Sequence, residues 1–235
     1  MNRKTLATLW MTLLLAAAVH AAPATEGAAP GEWTMDFEAA QTLAAETERP
    51  LFLNFTGSDW CGWCKLMDAQ VFSKEEWTDH ARENLVLVWI DFPRDQSLVP
   101  ERFVSQNKAL SRKFDVQGFP TYILLDADGQ TVLGQAGASR DATPESFIRE
   151  LNLLILASAP SVARLRDTMT DEQKARLDAA QSQRETAIRK LQDWIQTEPE
   201  RTEENTAAFH EMRKAIDRAT SEFLQILQDA SDASS

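Results

Sequence analysis

Residues 85–92 read Leu-Val-Leu-Val-Trp-Ile-Asp-Phe, a nearly continuous apolar run without the alternation of a half-exposed strand. Such a run belongs to a strand buried on both faces, and burial on both faces requires a sheet with helices packed on either side. A second short run, Leu-Phe-Leu-Asn-Phe-Thr at 51–56, has strand composition and is preceded by Pro50. Around these two runs the remaining elements fall into place. A short strand is expected at 33–37, and an amphipathic helix at 38–48 with Ala40, Leu43 and Ala44 inward. A helix opens at Cys61 and runs to about residue 69. Ser73-Lys74-Glu75-Glu76 has capping-box spacing and predicts a helix through residue 84. Residues 99–114 read as helix. Segments 121–125 and 130–133 form a hairpin around Asp126-Ala127-Asp128-Gly129, whose acids are out of place for a calcium loop and read as a turn. Thr143-Pro144 starts a helix that reaches about residue 157. The order predicts an α/β fold over residues 33–159, a central mixed sheet flanked by helices.

Both ends differ in character. Arg3 and Lys4 precede an apolar stretch at 5–19, shorter than the roughly 20 residues a membrane span takes. Small residues follow, with cleavage expected after Ala21 or, as a second option, Ala24. Residues 1–21 are therefore expected to be a signal peptide, and the mature chain soluble in the periplasm or outside the cell. Residues 22–32 read as a flexible linker. From Pro160 and Ser161 onward strand signals stop. Residues 160–230 predict an all-α helical extension of two or three helices, in essence a helical hairpin, followed by a disordered tail at 231–235. Thr170-Asp171-Glu172-Gln173 is a further capping box. Phe209, Met212, Ile216, Ala219, Phe223 and Ile226 form one helical stripe, facing Leu177, Ile188, Leu191 and Ile195 across Glu198-Pro199-Glu200. Gln181 and Arg184 interrupt the facing stripe. It either packs back on the preceding domain or serves dimerisation or substrate clamping.

The chain is 43% apolar and 26% charged, with a formal net charge of −12, which excludes a basic footprint for nucleic acid. Its two cysteines, Cys61 and Cys64, are separated by two residues. A bridge that short closes little chain and adds little stability. A zinc site wants four ligands, and beyond the cysteines only the distant His80 and His210 remain outside the leader. Redox chemistry is what the spacing suits. A cysteine at a helix N-terminus faces free backbone N–H groups and the positive end of the helix dipole, which favour thiolate. Cys61 is the expected nucleophile and Cys64 the shielded second thiol that resolves a mixed disulfide. Gly62 would let the backbone turn tightly. Trp63 would shade the disulfide, contact substrate, or simply pack. Gly118-Phe119-Pro120-Thr121 opens a strand, and on its own Pro120 is an ordinary trans strand opener.

The pairing of Trp60-Cys61-Gly62-Trp63-Cys64-Lys65 with Gly118-Phe119-Pro120-Thr121 about 55 residues later resembles the thioredoxin superfamily, over roughly residues 33–158. The likeness is to exported bacterial thioredoxin-like proteins and to the C-terminal domain of membrane thiol–disulfide interchange proteins. It implies a thioredoxin-like fold and a catalytic Cys61/Cys64 pair. It further implies that Pro120 is cis and faces the disulfide, that the Phe119 backbone pairs with bound substrate, that Thr121 borders that site, and that Trp60 supports the cysteines. No cofactor and no metal are expected. The family's buried aspartate on the preceding strand is missing, because Asn54 or Phe55 stands there; Asp59 or Lys65 would be the nearest substitutes. The expected activity is thiol–disulfide exchange on exported proteins, leaning to reductase or isomerase, with a membrane thiol–disulfide electron donor as partner. The rival reading is a binding or assembly protein whose helical extension does the work.

Overall fold

Why two apolar strands can lie side by side with no exposed face is clear from the computed structural model, which describes residues 22–233. Strands β1 (Trp33–Thr34), β2 (Leu51–Thr56), β3 (Val86–Asp91), β4 (Thr121–Leu125) and β5 (Val132–Ala136) form one mixed sheet in the order β1-β3-β2-β4-β5. β1 and β2 run parallel to β3, whereas β4 runs antiparallel to both β2 and β5. All six residues of β2 are buried.

Alternation along β2 feeds two cores. Phe52 points into an aromatic core with Phe72, Trp77, Tyr122 and Phe147, covered by α2 (Gly62–Met67), its π-helical continuation Asp68–Phe72, α3 (Glu75–Asn84) and α5 (Pro144–Leu156). Leu51, Leu53 and Phe55 point into an aliphatic core under α1 (Phe37–Thr47) and α4 (Glu101–Lys113). Thr143 caps α5 with a reciprocal Ser146 bond and Pro144 in its first turn.

Several local expectations are corrected. The segment 22–32 is not a loose linker. Ala24 bridges Thr34 in parallel, its N–H donating to the Trp33 carbonyl at 2.8 Å, while the Thr34 hydroxyl donates to the Gly27 carbonyl at 2.6 Å. Backbone bonds to a sheet edge leave no mark on composition. The first strand stops at Thr34 because Asp36 caps α1, accepting from the Ala39 N–H. The capping box at Ser73 does not form. Ser73 arrives from a helical turn and donates back to the Ala69 carbonyl, leaving Lys74 as the cap of α3 without a side-chain bond. The second hairpin strand begins at Val132, because the Asp128 carboxylate holds the N–H groups of Gln130 and Thr131 in the turn. The segment read as a signal peptide, 1–21, lies outside the described residues.

The extension holds three helices, α6 (Ala159–Thr168), α7 (Asp171–Gln196) and α8 (Glu203–Ala233). Pro160 and Ser161, the composition break, lie in the first turn of α6, where proline's fixed φ is tolerated. Thr170 and Gln173 cap α7 reciprocally. Residues 231–233 continue α8 and are not a disordered tail. Near the base of an antiparallel α7–α8 hairpin, Leu177, Ala180, Phe223, Ile226, Leu227 and Ala230 form a third core with Met169. Leu156 and Ala157, at the end of α5, pack against it. Arg184, an interruption in the stripe, lays its guanidinium over the Phe223 ring at 4.6 Å. The stripe is unevenly buried, since Ala219, Phe223 and Ile226 are buried while Phe209, Met212 and Ile216 are half-buried.

Every buried residue of the two sheet-flanking cores precedes residue 152. A chain ending at Ala159 is therefore expected to keep its sheet and a cooperative thermal transition, measured by circular dichroism. An insoluble product would show that the third core is indispensable to the first two.

Candidate redox-active site

The site begins where β2 runs out. The Gly57 carbonyl accepts the N–H groups of Trp60 and Cys61, at 3.2 and 2.8 Å, and turns the chain toward α2. Gly57 is there because the Trp60 indole lies on it: a Cβ would come within 2.5 Å of the ring. Cys61 is the N-cap of α2 in extended conformation, and its Sγ accepts the Cys64 N–H at 3.1 Å. Cys61 and Cys64 form a disulfide, with Cα atoms 5.2 Å apart. The expected contrast between an open first thiol and a shielded second is absent in this oxidised state, since Cys61 is 4% exposed and Cys64 7%. What separates the two sulfurs is their place on the helix end. Gly62 is not needed for a tight turn either. It is exposed, its φ is outside the left-handed region, and an added Cβ would meet nothing within 4 Å.

Three consecutive residues before the disulfide are laced to the end of β3 and the segment after it. Ser58 donates its N–H and hydroxyl to the two carboxylate oxygens of Asp91, at 2.9 and 2.5 Å. The Asp59 carboxylate accepts the N–H groups of Arg94 and Asp95. The Trp60 Nε1 donates to the Phe92 carbonyl at 2.9 Å. The backbone donors of Asp95 and then Arg94 hold the Asp59 carboxyl below its ordinary range. Its contribution to this lacing is complete above the ordinary aspartate range and is lost as pH falls through the lowered value.

The Phe119–Pro120 peptide bond is cis. Phe119 meets the Trp60 ring edge-on at 5.9 Å and stacks on Phe92 at 5.1 Å, so this loop reaches the residue next to Cys61. Thr121 donates its hydroxyl to the Gly118 carbonyl and opens β4. Trp63 is 44% exposed and is not core packing; Trp60 is 39% exposed.

Neither candidate for the missing acid is one. Asn54 is buried with its Oδ1 lacking a hydrogen-bond partner, and Phe55 is fully buried. Asp59 is committed to the 94–95 backbone, and the Lys65 ammonium donates to the Asp59 carbonyl at 2.7 Å. The buried acid that does border the motif loop is Asp91, 5% exposed, at the end of β3. Reading only the strand before the cysteines misses it; a lone acid closing an otherwise apolar strand was the available signal. Gly57, Ser58 and Phe92 were missed with it. Among the described residues no group of three or more His, Cys, Asp or Glu could hold a metal ion, and no helix is long and apolar enough to cross a membrane.

With a disulfide at a helix start, next to a cis-proline loop on a mixed sheet, the comparison with known proteins is decisive. Residues 37–152 match the family described as a thioredoxin-like domain. The disulfide bond reductase DsbH of Chlamydia pneumoniae is 35% identical over 99 residues, which are 42% of this chain and 58% of that protein. The thioredoxin-related protein DsbJ of the same organism is 30% identical over 100 residues, 43% of this chain and 28% of that one. The matched stretch thus spans little more than half of the first relative and under a third of the second. A solved structure titled DsbH Oxidoreductase superposes with a TM-score of 0.50 at 26% identity, over 60% of this chain and 96% of that one. The thioredoxin-like fold, a mixed sheet between helices, is as the motif pairing implied, and the long C-terminal helices after it are as the loss of strand signals predicted.

Proposed function

We propose that the chain is a thiol–disulfide oxidoreductase acting on disulfides of exported proteins, in the direction of reduction or isomerisation. The observation that carries the reading is the Cys61–Cys64 disulfide at the start of α2 in a thioredoxin-like domain. Once reduced, the Cys61 sulfur stands where the Cys64 N–H and the helix end favour thiolate. That thiolate attacks one sulfur of a substrate disulfide, the S–S bond breaks, and the first substrate thiolate departs and takes a proton from water. Cys64 then attacks Sγ of Cys61. With no acid at Asn54 or Phe55 to receive it, the Cys64 proton goes to water or to the departing second thiolate. The substrate leaves with two thiols and the domain with one disulfide. Resetting the domain takes two electrons and two protons from an outside dithiol, and a membrane thiol–disulfide carrier is the donor suited to an exported domain. Export itself rests on Arg3, Lys4 and the apolar residues 5–19. The relative named a disulfide bond reductase supports reduction.

The test is a trap. Cys64→Ser should accumulate exported proteins as dithiothreitol-sensitive adducts on Cys61, and Cys61→Ser/Cys64→Ser should carry none. One observation supports the rival reading of a binding protein: Trp194, Ile195, Pro199 and Phe209 line an open groove of about 560 Å³ at the hairpin tip, with Ile195 51% exposed. Partners retained without any disulfide adduct would favour it.

A further inference from the structure

The disulfide is bordered by two exposed indoles, and each carries an arginine from a different loop. The Arg94 guanidinium, from the loop after β3, lies 5.5 Å from the Trp60 ring centroid. The Arg140 guanidinium, from the loop after β5, lies 5.6 Å from that of Trp63. Neither side chain has an ion pair or hydrogen bond among the described residues, where the ion-paired arginines are Arg82, Arg102 and Arg166. Asp59 is near enough for its charge to act on that of Arg94, but among the described residues no carboxylate pairs with either guanidinium. Asp59 gives its oxygens to the backbone of residues 94–95, and Asp95 accepts from the N–H and hydroxyl of Ser97.

A guanidinium held over an aromatic ring is positioned by it, and its N–H fork stays available for a carboxylate. In a chain of net charge −12 two such cations beside a reactive disulfide are against the prevailing sign. At physiological ionic strength, charges beyond about 8 Å are largely screened. An incoming chain therefore feels the two arginines more than the distant acidic surface.

We propose that Arg94 and Arg140 select polypeptide segments carrying Asp or Glu beside the reacting cysteine, while Trp60 and Trp63 cover their apolar part. This rests on the oxidoreductase reading and narrows its substrate class to acidic cysteine segments.

Two peptides serve as probes, one with Asp and one with Lys on both sides of a cysteine that is disulfide-linked to mercaptoethanol. The reduced full chain is reacted with each, and rates are normalised to those with free dithiothreitol, which removes the peptides' intrinsic difference. Exposed charge pairs are modest, so the expected preference for the Asp peptide is about fivefold at low salt. It should fall toward one in about 0.5 M sodium chloride. R94E/R140E should reverse it in favour of the Lys peptide. A wild-type ratio of one at low salt, or a ratio unchanged by salt or by R94E/R140E, overturns the proposal. Hydroxyethyl disulfide, which is uncharged, separates the two readings. If the wild-type chain exchanges with it but the peptide ratio is one, only the charge selection fails; if it reacts with none of the three, the oxidoreductase reading fails as well.

Discussion

Cys61→Ser is expected to abolish disulfide exchange, because a serine hydroxyl neither ionises at neutral pH nor forms a bond to substrate sulfur. Cys64→Ser should instead complete the first half-reaction and stop at the mixed disulfide. The difference follows from place on the helix and not from exposure, which is nearly the same for both cysteines. Cys61 caps α2 and its sulfur accepts the Cys64 N–H, one of the donors a helix start leaves unpaired. In the reduced protein this should show as selective alkylation. A helix end raises the thiolate population by about a hundredfold at mildly acid pH. The more stable thiolate is the weaker nucleophile, which cuts the gain to about tenfold. Iodoacetamide at about pH 6 should label Cys61 about ten times faster than Cys64, as read by mass spectrometry of quenched samples. Equal rates, or Cys64 reacting first, would reverse the assignment of roles.

Phe52→Ala should be the most damaging single change to stability, at about 3–5 kcal/mol. Phe52 is fully buried in β2 and stacks on Tyr122 at 5.4 Å. Its ring also meets Trp77, Phe72 and Phe147 at 5.3–6.0 Å, so one side chain joins α3, the π-helical turn and α5 to the sheet. Aromatic rings cannot close over a hole of that size without losing their edge-to-face contacts. Against a typical total of about 5–15 kcal/mol, the loss is about a fifth or more. A fall in melting temperature of about 10 °C or more is expected. Phe52→Leu keeps most of the volume and should cost much less. An urea midpoint for Phe52→Ala near that of the parent would show that the aromatic core repacks freely.

The region before the disulfide shows how residues of plain composition become important through partners. Asp91 lies 33 positions from Ser58, and in sequence it is merely the polar end of a strand. In the fold it receives both donors of Ser58. Asp59, in sequence one of the nearest substitutes for the missing acid, ties down the 94–95 backbone. Both acids act on the loop that seats Trp60, and neither replaces the family's missing aspartate.

What the sequence determined on its own was whatever a residue settles within a few positions of itself. β2 at 51–56 and β4 at 121–125 follow from unbroken strand-forming runs. The caps Thr143 and Thr170 find their partners three residues on, and Cys61 and Cys64 are one helical turn apart wherever the helix lies. The tertiary structure alone decided how distant segments meet. It set residues 22–32 on the sheet edge and carried Phe119 to Trp60. It brought Arg94 and Arg140 over two indoles, and divided the hairpin's apolar stripe into a buried base and a half-open tip. The physical reason is the same in each case. Local hydrogen bonds and strand periodicity are written into neighbouring residues, while the burial of a ring or the pairing of a carboxylate depends on which surfaces the folded chain brings together.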